Sequence, residues 1–364
     1  FMISAAHSDS PAFKVKENPE IIENGYVKLN VEGYGGMLMA PWLDRPLSVA
    51  GRIIVKNGNK YEVRLVNVDR GLLLIPNVAI HMNRDANKGQ TWNAQVDMLP
   101  VLGSADEAKG SFMRIIAESA GVSESDILSH DLFLYVRDKG KVWGGSEEYI
   151  SAPHLDDLQC VYGCLEGFLG ANNSSSVPVL AVFDNEETGS LTKQGADSTF
   201  LEDVLKRISL SCSKDEEGYY RAVSSSFMVS ADNAHALHPN HPEKADPVNR
   251  PAINKGIVIK FNAAQHYTTD AVSCAVYRDL CESNDIPVQV FTNRSDSRGG
   301  STLGNVSNAH VSLNTVDIGL AQLAMHSCYE TAGAKDTKHL IDAMTIFYSK
   351  TFRVGAGGSF ELLD

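Results

Sequence analysis

At 364 residues, 43% hydrophobic and 21% charged, the chain has ordinary globular composition, which excludes a disordered protein and leaves room for a large α/β domain plus a second module. Lys+Arg number 32 against 45 Asp+Glu, a formal net charge of −13; nucleic acid and anionic membrane are therefore not expected as main partners, since both demand a basic face. No apolar run approaches the roughly 20 residues that cross a bilayer.

The opening stretch, residues 1–6, reads as a short apolar strand running into His7-Ser8-Asp9. It has no basic n-region of a secretory signal, and because the chain opens inside a strand, a further N-terminal segment of the natural protein is expected to precede it. Residues 25–141 read as a β-rich insertion. Strands are expected at 26–31, 53–55, 61–65, 72–75 and 132–136, with one helix near 108–120, and Lys56-Asn57-Gly58-Asn59-Lys60 is a hairpin signal because Asn-Gly suits the positive-φ positions of a tight turn.

The remainder, residues 1–24 and 142–364, reads as one discontinuous domain. Strands are expected at 178–183, 226–231, 256–261, 288–292 and 311–316. Between them, Leu158, Val161, Tyr162, Leu165, Phe168 and Leu169 recur at helical spacing, and residues 271–283 and 318–332 suggest further helices. Strands alternating with helices imply an α/β fold with a mixed sheet covered on both faces. Ligands in such folds bind beyond the carboxyl ends of the strands. The six cysteines (160, 164, 212, 274, 281 and 328) form no paired framework and are expected to be reduced, in a cytoplasmic protein; Cys160 and Cys164 have helical spacing rather than that of a zinc clip.

Polar clusters stand where that rule places a site. The strand 178–183 ends in Asp184-Asn185-Glu186-Glu187, and adjacent carboxylates stay ionised in a packed site only if a cation or strong donors neutralise them. Asp156 and Asp157 follow His154 at a helix start, where either could serve as an N-cap. Asp232 follows the strand 226–231 and could be a turn acid, and His7 could be a core histidine. Together the acids suit a pair of hydrolytic metal ions of the zinc type, which need a bridging carboxylate and a separate carboxylate to accept a proton from water. Glu186, beside Glu187, is the candidate base. Gly299-Gly300-Ser301-Thr302 could bring backbone N–H groups to a substrate, and Lys260 and Tyr267 could meet a substrate carboxylate and an oxyanion. No Gly-x-Ser-x-Gly elbow, P-loop or dinucleotide fingerprint competes.

At these residues the chain resembles the M18 metallo-aminopeptidases, the aspartyl aminopeptidase family. The matching stretches are AAHSDSPAFKVK (5–16), IPNVAIHMNRD (75–85), HLDDLQCVYG (154–163), DNEETGS (184–190), SADNAHALHPNHPEK (230–244), KGIVIKFNAAQHY (255–267), GGSTLG (299–304) and DIGLAQLAMHS (317–327), in family order along the whole chain. The resemblance implies a mixed-sheet α/β/α metallopeptidase domain of the phosphorylase/hydrolase type, interrupted by a dimerisation domain. It implies two divalent ions, zinc first and cobalt or manganese as substitutes, with His7, Asp156, Glu187, Asp232 and His326 as ligands, Asp156 spanning the pair, and Glu186 as base. It also implies a cis peptide after Asp156, a dodecamer built from dimers, and a His81 that enters a neighbouring subunit's site. Lys260, Tyr267, Gly300 and Ser301 match substrate-binding positions. His266 stands where the family usually has arginine, which bears on side-chain preference.

The activity so implied is removal of free N-terminal residues from peptides, acidic ones by charge pairing with Lys260. The rivals are a related co-catalytic zinc carboxypeptidase or deacylase, which would not require a free amine, and a catalytically silent shell-forming homologue, against which the intact acidic set speaks.

Overall fold

The structure is a computed structural model that describes residues 1–297 and 299–364. The chain separates into two compact units, residues 1–10, 140–325 and 330–364 in one and residues 11–139 and 326–329 in the other.

Strand β1 (Met2–His7) opens the first unit. The second unit follows, with β2 (Ala12–Glu23), β3 (Tyr26–Tyr34), β4 (Leu47–Asn57), β5 (Lys60–Asn67), α1 (Ala94–Asp97), β6 (Val101–Ser104), α2 (Ala105–Ala108), α3 (Phe112–Ala120) and β7 (Ile127–Val136). Its sheet runs β5-β4-β7-β2-β3-β6, antiparallel throughout. Period-two alternation puts Leu132, Leu134 and Val136 of β7 and Val49, Ile53 and Val55 of β4 into one core with Phe13, Trp42 and the Phe112 and Ile116 face of α3. Glu20 seats that helix by accepting the N–H groups of Gly110 and Phe112.

Three expectations change here. The boundary near residue 24 moves to residue 10, because β2 pairs with β3 and so belongs to the β-rich unit. The hairpin turn centres on Gly58-Asn59 between paired Asn57 and Lys60, and of these only Gly58 takes positive φ, 60°. Residues 72–75 form isolated bridges at Leu73, Leu74 and Ile75 rather than a strand.

The first unit continues with β8 (Lys141–Trp143), β9 (Tyr149–Ala152), α4 (Leu155–Gly170), β10 (Pro178–Phe183), α5 (Phe200–Ser211), α6 (Glu216–Ser224), β11 (Phe227–Ala231), β12 (Ala234–His235), β13 (Ile257–Phe261), α7 (Ala271–Glu282), β14 (Val288–Thr292), α8 (Leu303–Asn308), β15 (Asn314–Gly319), β16 (Ala321–Leu323), β17 (Glu330–Gly333) and α9 (Asp336–Ser349), then the hairpin of β18 (Thr351–Val354) and β19 (Phe360–Leu363). Its main sheet has the order β10-β1-β11-β15-β13-β14 and is parallel except where β13 meets β15. A smaller sheet runs β12-β16-β17-β9-β8.

Alternation along the central strands builds a core on each face. Met2, Phe227 and Val229 pack with α4, α7 and α9, whereas Ile3, Ala5 and Met228 pack with α5, α6 and α8. This is the expected mixed-sheet α/β architecture.

Two local readings fail for packing reasons. Helix α4 forms, but Leu158, Tyr162, Leu165 and Leu169 of its apolar stripe are exposed, and the helix buries Gln159, Cys160, Gly163, Cys164 and Gly167 instead. Small residues are needed there. A Cβ on Gly163 or Gly167 would stand 2.5 Å from Leu340 or Met344 of α9. The helix expected at 318–332 is instead the end of β15 with β16 and β17, and the last long helix lies at Asp336–Ser349. A short apolar run does not by its spacing separate helix from buried strand.

Candidate metal centre

Strands β10, β1 and β11 are parallel neighbours, with Ala5 level with both Ala181 and Ser230. Their carboxyl ends therefore open on one sheet edge. His7 is the last residue of β1, Asp232 follows β11, and Glu186 and Glu187 lie on the turn after β10. That turn holds because Asn185 adopts a left-handed conformation (φ 61°), which asparagine tolerates, and its amide oxygen accepts from Thr192 and Gln194. Asp156 sits in the first turn of α4, and its peptide bond to Asp157 is cis, as the resemblance implied.

The His7 ring is fixed from its Nδ1 side, 3.0 Å from the carbonyl oxygen of Asp9. With Nδ1 held there, Nε2 is the nitrogen that faces the carboxylates and would serve as the ligand atom once its proton gives way to an ion. His7 Nε2 stands 3.6 Å from Asp156 Oδ1 and 3.9 Å from Asp232 Oδ1. These separations exceed a hydrogen bond but suit donors on one ion, since two ligands at about 2.0–2.1 Å from zinc are at most roughly 4.2 Å apart. One donor atom each from His7, Asp156 and Asp232 lies within 4.8 Å of the others, and the same holds for His7, Glu186 and Glu187. An imidazole among buried carboxylates is the chemistry a divalent zinc-type ion takes, so the residues fit such a group.

Electrostatics point the same way. Burial, then the charge of Asp156, pushes the Glu187 carboxyl up to about 10, and burial, then Asp232, pushes Glu186 up to about 7. Burial also raises Asp157. His7 loses hydration on burial, yet Asp156, Asp232 and Asp9 hold its imidazolium well above the ordinary histidine range. Asp232 is likewise opposed by burial, but Lys260 and His7 keep it ionised below the usual carboxylate range.

Lys260 has a different placement from the one expected. It is the one buried Lys or Arg among the described residues, 2% exposed, and its ammonium donates to the Asp232 carbonyl oxygen at 2.8 Å and lies 3.5 Å from Asp232 Oδ2. The charge expected to await a substrate carboxylate is thus already engaged by Asp232. Tyr267 is buried beside it, its ring 5.2 Å from the ammonium. Gly300 and Ser301 lie on an exposed loop, where the Ser301 hydroxyl donates to Asn305.

His326 and His81 belong to the second unit. His326 adopts positive φ, 64°; its Nδ1 is 2.6 Å from the Gly36 carbonyl oxygen, and its own carbonyl accepts from Leu38 N–H. His81 is exposed on a turn beside Met82, itself 82% exposed.

Sequence reasoning gave no site role to three residues. The Asp9 carboxylate accepts the N–H of Glu186 at 3.0 Å and of Glu187 at 3.1 Å. Its place two residues after His7 was a signal that could have been read. Glu330 is buried and accepts the Asp156 N–H at 2.9 Å, and Asp157 accepts the His7 N–H at 3.1 Å. Nothing local marks Glu330, which lies far from Asp156 in sequence.

The family described as Aminopeptidase I zinc metalloprotease (M18) matches residues 1–348. A curated relative, "Probable M18 family aminopeptidase 2" of Clostridium acetobutylicum, is 49% identical over 355 residues, covering 96% of this chain and 82% of its own. Among solved structures, Ape4 in its complex with Nbr1 superposes with a TM-score of 0.91 at 34% identity, covering 95% of this chain and 71% of that one. The mApe1 dodecamer of S. cerevisiae gives 0.79 at 28% identity, covering 95% and 78%. Among the described residues no helix is long and apolar enough to cross a membrane. With its length matched almost end to end and nearly half its residues shared with a curated member, the chain belongs to the M18 family of zinc metallo-aminopeptidases.

Proposed function

We propose that this aminopeptidase works with two divalent ions, His7 and Asp232 on one, Glu187 and His326 on the other, Asp156 between them, and Glu186 as general base. The observation that carries this reading is the convergence of His7 Nε2 with Asp156 and Asp232 on the sheet edge that also presents Glu186 and Glu187. Zinc is the favoured ion, with cobalt or manganese as substitutes, and when bound it would supply Lewis acidity toward the scissile carbonyl and toward water.

The chain's own residues account for the rest. Glu186, raised to about 7 by burial and then Asp232, takes a proton from the attacking water and returns it to the leaving amide nitrogen. Asp9 fixes the backbone that carries Glu186 and Glu187, and Lys260 fixes Asp232. Tyr267, with the backbone N–H groups at Gly300 and Ser301, offers donors to the carbonyl oxygen as it gains charge. An acidic N-terminal residue is the proposed substrate on the resemblance to the aspartyl aminopeptidase family, not on Lys260, whose charge is engaged by Asp232.

In this reading the β-rich unit is the dimerisation module of a homo-oligomer, a dodecamer built from dimers (the similar mApe1 structure is a dodecamer), and His81 acts in a neighbouring subunit. The working compartment is the cytoplasm, where the six free cysteines stay reduced.

A scan of aminoacyl substrates with free and blocked amines tests the reading. Turnover that requires the free amine, is highest for Asp or Glu and is lost on metal removal supports it. Equal cleavage of amino-blocked substrates would overturn it.

A further inference from the structure

Asp317 lies on β15, level with Ser230 of β11, and is fully buried. A buried carboxylate is costly unless strong donors surround it, and two separate loops supply them. From the loop after β13 come the backbone N–H of Thr268 and the Thr268 hydroxyl, the latter at 2.6 Å from Oδ2. From the loop after β14 comes the Thr302 hydroxyl, 2.7 Å from Oδ1. The backbone N–H of Asp317 in turn donates to the Thr269 hydroxyl at 2.9 Å.

Neither loop is part of a sheet at these points; the carboxylate is the group that joins both to β15, and the Thr269 hydroxyl adds a second tie for the first of them. Thr302 occupies the N-cap position of α8 yet makes no side-chain cap bond; its hydroxyl goes to Asp317 instead. The packing confirms that room was kept for this cluster. A Cβ on Gly304 would stand 2.9 Å from the Thr268 hydroxyl and 3.0 Å from both oxygens of Asp317.

Thr268 adjoins Tyr267, and Thr302 adjoins Ser301 and Gly300. We propose that Asp317 is a positioning residue that clamps the Tyr267 loop and the Gly300–Ser301 loop in one arrangement and thereby sets substrate affinity. The inference rests on the reading of Tyr267, Gly300 and Ser301 as substrate contacts. With a loop released, substrate must order it on binding, so the loss falls on KM more than on kcat.

The test uses the intact metal-loaded enzyme. Thr302→Val removes one donor while keeping shape, and should raise KM about ten-fold, the scale of one hydrogen bond to a charged group, with kcat within about two-fold and metal content unchanged. Thr302→Ser keeps the hydroxyl and should restore KM. A Thr302→Val KM within two-fold of the parent, or a Thr302→Ser variant as impaired as Thr302→Val, overturns the clamp. Tyr267→Phe separates this failure from that of the underlying reading: if it leaves KM and kcat unchanged, the substrate contact itself is wrong.

Discussion

The two oxygens of Asp9 receive the backbone N–H groups of Glu186 and Glu187, at 3.0 and 3.1 Å, so one carboxylate couples the proposed base to the ligand beside it. The carbonyl of the same residue orients His7. Asp9→Asn would set an amide NH2 against one of the two backbone donors. We expect kcat or metal affinity to fall about 10–100-fold, the range for groups that orient ligands. Kinetics with metal titration checks this; parent values for both would show that the backbone of the turn needs no such support.

Glu186→Gln keeps the size of the side chain but removes its basicity. Turnover should drop about 10²–10⁴-fold with both metals retained, measured by steady-state kinetics alongside elemental analysis. Near-parent turnover with full metal content would remove Glu186 from the role of base.

Lys260→Met leaves the Asp232 carboxylate buried without its cation. Removing one partner of a buried ion pair costs about 3–5 kcal/mol, and denaturant unfolding of the metal-free protein should show a loss of that order. A loss below about 1 kcal/mol would mean that the Asp232 contact does not matter to the fold and that Lys260 is free for substrate.

Between pH 5 and pH 9, where Asp232 stays ionised, acidity should act on the metal-free protein in one direction. Burial and neighbouring charge raise Glu186 from 4.5 to about 7 and Glu187 from 4.5 to about 10, and the three carboxylates raise His7 above 6.5 against the effect of burial. Each of these groups binds its proton more tightly folded than unfolded. The stability they contribute is therefore complete below about pH 4.5 for the glutamates and about 6.5 for His7, and is lost as pH rises through the folded values. Thermal midpoints of metal-stripped protein should fall from pH 5 to pH 9, while the gain on adding zinc grows, because zinc binds the deprotonated ligands. A flat midpoint across that range would contradict the raised values.

His81 is exposed on a turn of the β-rich unit. If it works in a neighbouring subunit, His81→Ala should lower activity without lowering the thermal midpoint. Assemblies reconstituted from His81→Ala and Glu186→Gln chains should regain part of the activity, because each supplies what the other lacks. No recovery in verified mixed assemblies would place His81 outside the reaction.

The sequence alone determined the strand framework around the site. Short apolar runs ending in acids at Asp184, Glu186, Glu187 and Asp232 are local patterns, and parallel strands must discharge such ends on one edge. The same local reading misjudged α4, because which face of a helix is buried depends on what it meets. Here α9 requires glycine and cysteine at the contact and leaves the leucines outside. It also took residues 318–332 as a helix, since an apolar run carries no mark of the neighbour β11 that draws its start into the sheet.

Only tertiary structure decided how the site is held. Asp9 meets Glu186 across 177 residues, Glu330 meets Asp156 across 174, and Asp317 meets Thr268 across 49. Strand pairing sets these contacts, not spacing along the chain. For the same reason Lys260, read from sequence as a charge awaiting substrate, is found engaged with Asp232. A buried cation and a buried carboxylate end up together because each would be costly alone.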